Sequence, residues 1–352
     1  MAATCLIHAG PAAGVCSDAW SPIEQGGFPT VELQDVSIAD ATHGWAVGYD
    51  SYDDSPTFAK WDGATWTNAT PTNLTATASL RGVAAITPTD VWVVGEYSKP
   101  SALTTSPLLL HWNGTRWRYY PAPSGHGMRL EAIWAVATDD IWVAGWERVD
   151  GPGVTMVLHW DGASWSRAAT PRPTRTSAWL FGISASGPNN AWAVGGIYHR
   201  RTHLADPLAL HWDGVSWKAT PTPAGLPQDP NQSYMDVAAV GANHAWAVGY
   251  LNNSERLLLA HWGGAEWKKI RWPDYTGPED LSGIVAVSGR RMIAVGQNGR
   301  HPLILRRTSG TWSEEASPWN RGRFTAIRYR EGVGAFAIGS HDTEVILENC
   351  GV

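Results

Sequence analysis

Two short phrases recur along the chain at intervals of about 50 residues. The first is Trp-Ala-Val-Gly or a close variant, and its final glycine falls at Gly48, Gly95, Gly145, Gly195, Gly249, Gly296 and Gly339. The second is His-Trp-Asp-Gly-x-x-Trp or a close variant, and it ends at Trp66, Trp117, Trp165, Trp217 and Trp267, with a degenerate copy ending at Trp312. Successive glycines are 43 to 54 residues apart. A period of this size, with four short strand signals in each unit, is typical of β-propeller blades.

The second unit illustrates the predicted strand pattern. Its four strands are predicted over residues 81–86, 91–95, 108–112 and 117–120. Asn113 and Gly114, between the third and fourth strands, are the signal for a two-residue type I′ hairpin turn, because both central positions of that turn need a positive φ. Pro121 and Pro123 follow the fourth strand and end it, since proline cannot donate to a ladder.

The units together predict one domain over 1–352, an all-β, seven-bladed β-propeller of four-stranded antiparallel blades. The first strands start near Leu33, Leu80, Leu130, Leu180, Tyr234, Leu281 and Phe324. The last unit has no Trp strand after residues 344–348, whereas residues 18–22 are similar to a fourth strand. We therefore expect the N-terminal strand to complete the last blade, which closes the ring and removes its open edges.

The three cysteines bear on the same closure. Cys16 and Cys350 each fall where a continuous hairpin would have its turn, counted from the fourth and the third strand respectively. This predicts a Cys16–Cys350 disulfide, worth up to about 5 kcal/mol in the chain-entropy model. A Cys5–Cys350 pair and three unpaired thiols are the alternatives. A disulfide indicates an oxidising compartment, so we expect a secreted or cell-envelope protein, with a cytoplasmic location left open because residues 1–8 do not resemble a signal peptide.

Charge and hydropathy restrict the partners. The chain has 26 Lys and Arg against 32 Asp and Glu, a net charge of -6, and no basic run. This balance argues against nucleic acid and against an anionic membrane surface. No apolar stretch approaches the roughly 20 residues that a membrane-spanning helix needs. We expect a monomer whose partner is a small molecule or a glycan.

The 22 tryptophans suggest a sugar-binding protein, but most of them belong to the repeat. Seventeen occupy repeating positions, Trp20 among them, and are interpreted as wedges between blades. The five outside the repeat are Trp134, Trp146, Trp179, Trp272 and Trp319. The recurring histidines (His111, His159, His211 and His261) sit on different blades, too far apart to share one ion, so they are interpreted as structural. No metal and no cofactor is expected, and the common hydrolase, zinc-protease and phosphate-loop motifs are absent from the sequence.

Long, variable loops are predicted on one side of the propeller, around the mouth of its central channel, where binding and catalysis usually occur. The residues nearest that mouth differ from blade to blade while their neighbours repeat. Trp134 and Arg328 also differ from the residues at the same repeat position in other blades. Those residues are Ser37, Ala84, Ser184, Ala238 and Val285. The predicted ligand-binding residues are Tyr49, Arg81, Glu96, Trp134, Trp146, Trp179, Phe181, Tyr250 and Arg328. The candidate catalytic residues are Asp35, Glu131 and Asp236, as carboxylates able to act as acid or base.

The two phrases, spread over Leu33 to Leu347, resemble the Trp-rich repeats of bacterial seven-bladed β-propeller proteins. More loosely they are similar to the Asp-box repeats of sialidases and to the Trp-Asp-Gly repeats of propeller lectins. The resemblance implies the propeller fold, and the lectin likeness implies binding sites that recur between blades. The channel-mouth residues here do not recur.

Three functions follow as hypotheses. The leading one is a single site at the channel mouth that binds a glycan or a polar small molecule. The alternative is an enzyme at the same mouth, a hydrolase, lyase or cyclase that uses Asp35, Glu131 or Asp236. The second alternative is a protein-interaction platform.

Overall fold

The computed structural model describes residues 19–23, 25–26, 31–72, 74, 77–98, 105–123, 127–148, 151–172, 176–251, 256–272, 279–341 and 343–349. Every regular element in these ranges is a β-strand. No helix of this part of the chain has the length and apolar composition to cross a membrane. Cys5, Cys16 and Cys350 lie outside the described residues, so the disulfide stays a prediction.

The strands follow one another in hairpin-connected groups. Two short strands come first, β1 (Ser21–Pro22) and β2 (Gln25–Gly26). Sheet 1 then contains β3 (Val31–Asp40), β4 (His43–Asp50), β5 (Pro56–Trp61) and β6 (Trp66–Asn68). Sheet 2 contains β7 (Thr77–Thr87), β8 (Asp90–Ser98), β9 (Ser106–Trp112) and β10 (Trp117–Tyr119). Sheet 3 contains β11 (Met128–Ala137), β12 (Asp140–Glu147), β13 (Val154–Trp160) and β14 (Trp165–Ala168).

The second half of the chain continues in the same way. Sheet 4 contains β15 (Thr176–Gly187), β16 (Asn190–His199), β17 (Leu204–Trp212) and β18 (Trp217–Ala219). Sheet 5 contains β19 (Gln232–Gly241), β20 (His244–Leu251), β21 (Arg256–Trp262) and β22 (Trp267–Lys269). Sheet 6 contains β23 (Glu279–Ser288), β24 (Arg291–Asn298), β25 (His301–Thr308) and β26 (Thr311–Glu315). Sheet 7 contains β27 (Arg323–Arg330), β28 (Gly334–His341) and β29 (Thr343–Asn349).

The strand pattern corrects the expectation of a seven-bladed propeller of four-stranded antiparallel blades. In the described ranges six sheets, not seven, are four-stranded and antiparallel throughout, and sheet 1 has five strands in the order β2-β6-β5-β4-β3. The additional strand β2 runs parallel to β6, with Gln25 opposite Trp66 and Gly26 opposite Thr67. Uniform antiparallel blades are therefore the wrong description of sheet 1, because a segment outside the repeat adds a parallel strand to its outer edge.

A strand from the start of the chain lies at the edge of sheet 7. β1 pairs antiparallel with β29, placing Ser21 opposite Glu348 and Pro22 opposite Leu347. The preceding residue, Trp20, is buried in the cluster that contains Phe324. Its indole Nε1 donates to Oε2 of Glu315 in β26, 3.0 Å away. The outer position of sheet 7 is thus filled from the opposite end of the sequence.

Indole clusters fill the space between neighbouring sheets. In four of its five copies the tryptophan of the first phrase contacts two tryptophans of the next sheet, and Trp92 illustrates the arrangement. Its ring centroid lies 5.1 Å from that of Trp160 and 5.3 Å from that of Trp165. On its other side His111 of its own sheet stacks at 4.4 Å. Equivalent contacts join Trp142 to Trp212 and Trp217, and Trp192 to Trp262 and Trp267. Burial of these aromatic surfaces holds each sheet against its neighbour.

The turn between the third and fourth strands differs from the predicted two-residue turn. In sheet 2 four residues, 113–116, separate β9 from β10. Gly114 has φ +89°, whereas Asn113 does not have the positive φ that a type I′ turn requires. Instead Oδ1 of Asn113 accepts the N–H groups of Thr115 and Arg116, both at 3.1 Å. The Asn or Asp of the phrase therefore closes the turn through its side chain.

Candidate ligand-binding site at the channel mouth

One residue from each innermost strand lines a cavity of about 160 Å³ on the propeller axis, here called the axial cavity. In every sheet the strand register slips at this residue; in sheet 3, for example, Leu130 pairs with Gly145 and Ala132 pairs with Ala144. The bulge leaves Glu131 unpaired and directs it away from the ladder. The equivalent residues are Gln34, Arg81, Phe181, Met235, Ser282 and Thr325. A β-bulge at one fixed repeat position therefore supplies a different side chain from each sheet to the same cavity.

Arg328 reaches two carboxylates in the axial cavity. Its Nη2 donates to Oδ2 of Asp35 in β3 at 3.1 Å, and its Nη1 lies 3.8 Å from Oδ2 of Asp236 in β19. Each aspartate also accepts two main-chain N–H groups. For Asp35 these come from Val36 at 2.9 Å and from Val83, in the next sheet, at 3.0 Å. Both carboxylates thus connect neighbouring sheets as well as facing the cavity.

Asp236 repeats the arrangement of Asp35 on another side of the channel. It accepts the N–H of Val237 at 2.9 Å and of Ile284, in the next sheet, at 3.0 Å. Burial raises the pKa of Asp236 to about 6, although the charge of Arg328 and the two N–H groups act in the opposite direction. Burial also raises the pKa of Asp35, again opposed by Arg328. These contacts favour a structural role for the two carboxylates, and their proposed acid–base role stays a prediction.

A row of charged and aromatic side chains in mutual contact lies along the rim, from sheet 1 to sheet 3. The guanidinium of Arg129 binds the buried carboxylate of Glu96 through two N–H groups, with Nε donating to Oε2 at 2.8 Å. Arg81 lies 3.6 Å from the same carboxylate and 5.9 Å from the ring centroid of Tyr49. Burial alone would raise the pKa of Glu96, but the hydrogen bonds and charge of Arg129 lower it. The carboxylate of Glu96 therefore fixes two arginines at the rim.

Arg129 extends this row of contacts to Trp146 and Glu131 in sheet 3. Its guanidinium lies 5.6 Å from the ring centroid of Trp146, within cation–π distance. The indole Nε1 of Trp146 donates to Oε1 of Glu131 at 3.0 Å. Trp146 is thus held both at its face and at its polar edge. An aromatic side chain held in this way presents a fixed surface to a ligand.

A groove leads outward from the axial cavity over sheets 3, 4 and 5. Its inner part is a cavity of about 320 Å³, which shares Glu131 and Phe181 with the axial cavity and has walls of Trp146, Trp179, Phe181, Tyr198 and Tyr250. Its outer part is a cavity of about 740 Å³ lined by Trp146, Trp179, Arg148 and Arg200 among others. We call the two parts together the mouth groove. Aromatic walls with a few polar groups are typical of small-molecule sites.

Gln232 lies in the wall of the inner part of the groove. It is 2% exposed, and its Nε2 donates to the carbonyl oxygens of Ala205 at 2.7 Å and Pro227 at 3.0 Å. Two carbonyl partners require the amide NH₂, so the orientation of the amide is fixed. These bonds hold the loop that contains Pro227 against β17 at the groove wall.

The structure distributes the predicted site residues over two adjoining cavities and their rim. Asp35, Arg81, Glu131, Phe181, Asp236 and Arg328 line the axial cavity. Trp146, Trp179 and Tyr250 line the mouth groove, while Tyr49 and Glu96 belong to the rim. Trp134 instead packs, half-buried, against the cluster of Ala132, Trp142 and Leu180. The structure thus gives Trp134 a packing role between strands rather than a place in the linings described above.

Sequence reasoning did not identify Arg129 and Gln232. Arg129 lies two residues before the bulge residue Glu131 on the same strand, hence on the same face. Applying that alternation to each repeat would have indicated Arg129. Gln232 carries no comparable signal, because its importance depends on the carbonyl groups of a loop folded against it.

Three of the four recurring histidines are held by partners within their own sheets, whereas Nε2 of His261 is buried and has no hydrogen-bond partner among the described residues. Nε2 of His111 and of His159 lies 2.8 Å from Oδ1 of Asp90 and of Asp140, respectively. His211 has Asn190 as its partner at 2.7 Å. Within the described ranges no three His, Cys, Asp or Glu residues are grouped so that they could hold a metal ion.

Comparison with known proteins places the chain by its fold. No family model matches the sequence, and no curated protein matches it either. A solved structure of YCF48 bound to a D1 peptide is 16% identical, with a TM-score of 0.63 over 94% of this chain and 96% of that chain. A GH74 xyloglucanase from Xanthomonas campestris is 14% identical, with a TM-score of 0.61 over 94% of this chain and 53% of that chain.

A third solved structure is the six-bladed β-propeller lectin of Aleuria aurantia, described by its fucose recognition. It is 15% identical, with a TM-score of 0.51 over 82% of this chain and 97% of that chain. Identities of this size carry no information about activity or ligand. By fold the chain is a β-propeller protein.

Proposed function

We propose that this protein binds a glycan at a single site formed by the mouth groove and the axial cavity. The observation that carries the proposal is the pair Trp146 and Trp179, two half-buried indoles outside the repeat that line both parts of the groove. Sugar rings have apolar faces that stack on indoles and hydroxyl groups that need polar partners. The mouth groove offers both kinds of contact.

A polar acceptor complements these indoles. The carboxylate of Glu131 uses one oxygen for the indole of Trp146 and can accept a hydroxyl group of the ligand through the other. Because a hydrogen bond to a charged group contributes about 1.5–3 kcal/mol, a ligand hydroxyl at this carboxylate gains affinity.

The site is single because its residues do not recur. The positions equivalent to Trp146 are Tyr49, Glu96, Gly196, Tyr250, Gln297 and Ser340. The bulge residues likewise differ in every sheet. A lectin with one site per blade would repeat the same side chains, so we expect one bound ligand per chain.

The test is isothermal calorimetry against malto-, cello- and laminari-oligosaccharides of two to seven units, together with a wider glycan panel. We expect a stoichiometry near one for the glycans that bind. Trp146→Ala and Trp179→Ala should each weaken binding by about fivefold or more, since a stacked aromatic contributes about 1 kcal/mol or more. Tyr119→Ala is the matched control, because Tyr119 is 55% exposed on β10, outside the groove. No binding by any glycan would overturn the proposal.

A peptide ligand is the second candidate. The outer part of the mouth groove is lined by Arg148 and Arg200, both exposed, and exposed arginines suit acidic side chains or a carboxylate. Titration with an acidic and a basic peptide of equal length separates the two functions. Binding of the acidic peptide in the absence of glycan binding would favour a peptide-binding platform.

A further inference from the structure

The cavities decrease in volume from the outer part of the mouth groove to the propeller axis. Its outer part has a volume of about 740 Å³ and its inner part about 320 Å³, and the axial cavity has about 160 Å³. Trp146 and Trp179 border the first two, whereas Glu131 and Phe181 border the last two. At about 30 Å³ for each water, the axial cavity has the room of roughly five waters. That is enough for the terminal unit of a chain and not for an extended segment.

Arg328 obstructs the inner end of this path. The residues equivalent to Arg328 are small in most sheets, as in Ser37, Ala84 and Ser184. Arg328 instead projects from sheet 7 and contacts Asp35 in sheet 1 and Asp236 in sheet 5. Because its guanidinium bridges carboxylates from different sides of the axis, a chain that enters the axial cavity meets a charged obstacle. Main-chain N–H groups donate to Asp35 and Asp236 and so fix the two carboxylates that Arg328 contacts.

We propose that the protein recognises one end of a glycan chain, with the terminal sugar in the axial cavity and the following units along Trp146 and Trp179. This inference rests on the proposed glycan-binding function and adds the mode of binding. A groove open at both ends would accept the middle of a polysaccharide, whereas this one is open at its outer part and obstructed at the axis. The bulge residues Gln34 and Glu131 line the axial cavity with polar side chains that can bind the hydroxyl groups of a terminal sugar, whereas the hydroxyl groups of Ser282 and Thr325 donate to main-chain carbonyl groups.

The test compares glycan chains of different lengths, each of which has one reducing end and one non-reducing end. Laminarin, maltodextrin and cellodextrin fractions of increasing length are titrated, and the protein bound at saturation is counted per chain and per mass. We expect one protein per chain at every length, with affinity that stops rising after a few units. β-Cyclodextrin, which has no end, should bind about tenfold or more weakly than maltoheptaose, which has the same number of glucose units.

A variant that fills the axial cavity provides an independent test. Gln34 is a half-buried bulge residue of β3, and Gln34→Trp should occupy the cavity without touching Trp146 or Trp179. We expect it to weaken oligosaccharide binding by about tenfold or more. Val215→Trp is the control, because it adds the same side chain at a turn position that is 83% exposed.

The outcomes separate the two proposals. Protein bound in proportion to chain length, or equal affinity for cyclic and linear glucans, or unchanged binding by Gln34→Trp, would contradict end recognition while leaving glycan binding intact. Absence of binding by every glycan would overturn glycan binding itself and end recognition with it.

Discussion

The guanidinium of Arg328 in β27 donates to the carboxylate of Asp35 in β3, 3.1 Å away and 293 positions earlier in the sequence. The ion pair joins the last sheet to the first at the axis of the ring. Since Asp35 also accepts the N–H of Val83, the same carboxylate connects sheets 7, 1 and 2. Stability and the shape of the axial cavity therefore depend on the same group of charges.

The first prediction concerns the pH dependence of stability through Asp236. Its pKa is about 6 in the folded protein against 3.8 as its usual value. Between these values the folded state binds the proton more strongly than the unfolded state, so this carboxyl lowers stability as the pH rises from 4 to 6. Asp236→Asn removes that dependence. The free energy of unfolding of the native protein minus that of Asp236→Asn should be about 2 kcal/mol larger at pH 4.5 than at pH 7.5.

Urea denaturation at the two pH values measures this difference. Val237 and Ile284 donate to different oxygens of Asp236, so the single oxygen of Asn can accept one of these two N–H groups. The loss of the other hydrogen bond is the same at both pH values and therefore cancels in the comparison. A difference that is equal at both pH values would show that Asp236 does not carry the raised pKa.

The second prediction concerns Glu96, for which the pH dependence of stability has the opposite sign to that of Asp236. Hydrogen bonds from Arg129 lower its pKa, so its ionised form stabilises the fold above its usual pKa of 4.5, and this stabilisation is lost as the pH falls. Glu96→Gln should lower the free energy of unfolding by about 1–3 kcal/mol at pH 7. The loss should shrink at pH 3.5, because below the usual pKa of 4.5 the carboxyl of the unfolded state takes up a proton and the advantage of the ionised native form is progressively lost. A loss of the same size at both pH values would contradict the ion pair as its cause.

The third prediction tests the contribution of the N-terminal strand. Trp20 is 6% exposed in the cluster with Phe324 and Ile327, and its Nε1 donates to Glu315. Trp20→Ala should lower the free energy of unfolding by about 3–5 kcal/mol because it leaves a cavity in that cluster. Trp20→Phe retains most of the packing and should cost about 1–2 kcal/mol. Equal stability of Trp20→Ala and the native protein in urea would mean that this strand does not hold sheet 7.

The fourth prediction concerns a histidine that lacks the acidic partner found in other sheets. His261 faces His244, at a ring-centroid distance of 4.8 Å, where His111 has Asp90. Burial, and then the charges of His244, Arg307 and Lys268, lower the pKa of His261 to about 4. Because the unfolded state binds this proton near pH 6.5, the protein loses stability from this site as the pH falls from 6.5 towards 4.

His244→Asp should place a carboxylate beside His261, as Asp90 lies beside His111. We expect the pKa of His261 to rise by about one unit or more, because a nearby negative charge favours the protonated ring. NMR titration of the imidazole measures it. Asn190→Asp, beside His211, is a parallel variant in a sheet that has an amide at this position, and its histidine should shift in the same direction. An unchanged pKa in both variants would contradict the electrostatic explanation.

Much of the architecture follows from repetition alone. The recurring glycine of the first phrase, for example, is required by a close approach of two strands. A Cβ added at Gly145 would lie 2.0 Å from the carbonyl oxygen of Arg129, so only glycine fits beside the bulge. A repeat that preserves this glycine preserves the bulge, and with it the position from which a side chain enters the channel.

The axial ion pairs could not be predicted in the same way. Arg328 stands out in the alignment of repeats, and so do Asp35 and Asp236, which fall where other sheets have Gly or Ala. Their mutual contacts depend on distances across the channel, which no sequence spacing contains. The same holds for the parallel strand β2, whose two residues, Gln25 and Gly26, carry no strand pattern of their own.

Residues 21–26 have a mechanical consequence for the ring. β1 belongs to sheet 7 and β2 to sheet 1, so one short length of backbone straddles the outside of the boundary between these sheets. Arg328 and Asp35 cross the same boundary at its inside. To separate the two sheets, the strand pairing of β1 or of β2 must break at the outside. The buried ion pair between Arg328 and Asp35 must also break at the inside. The boundary between the last sheet and the first is in this way held at both its outer and its inner side.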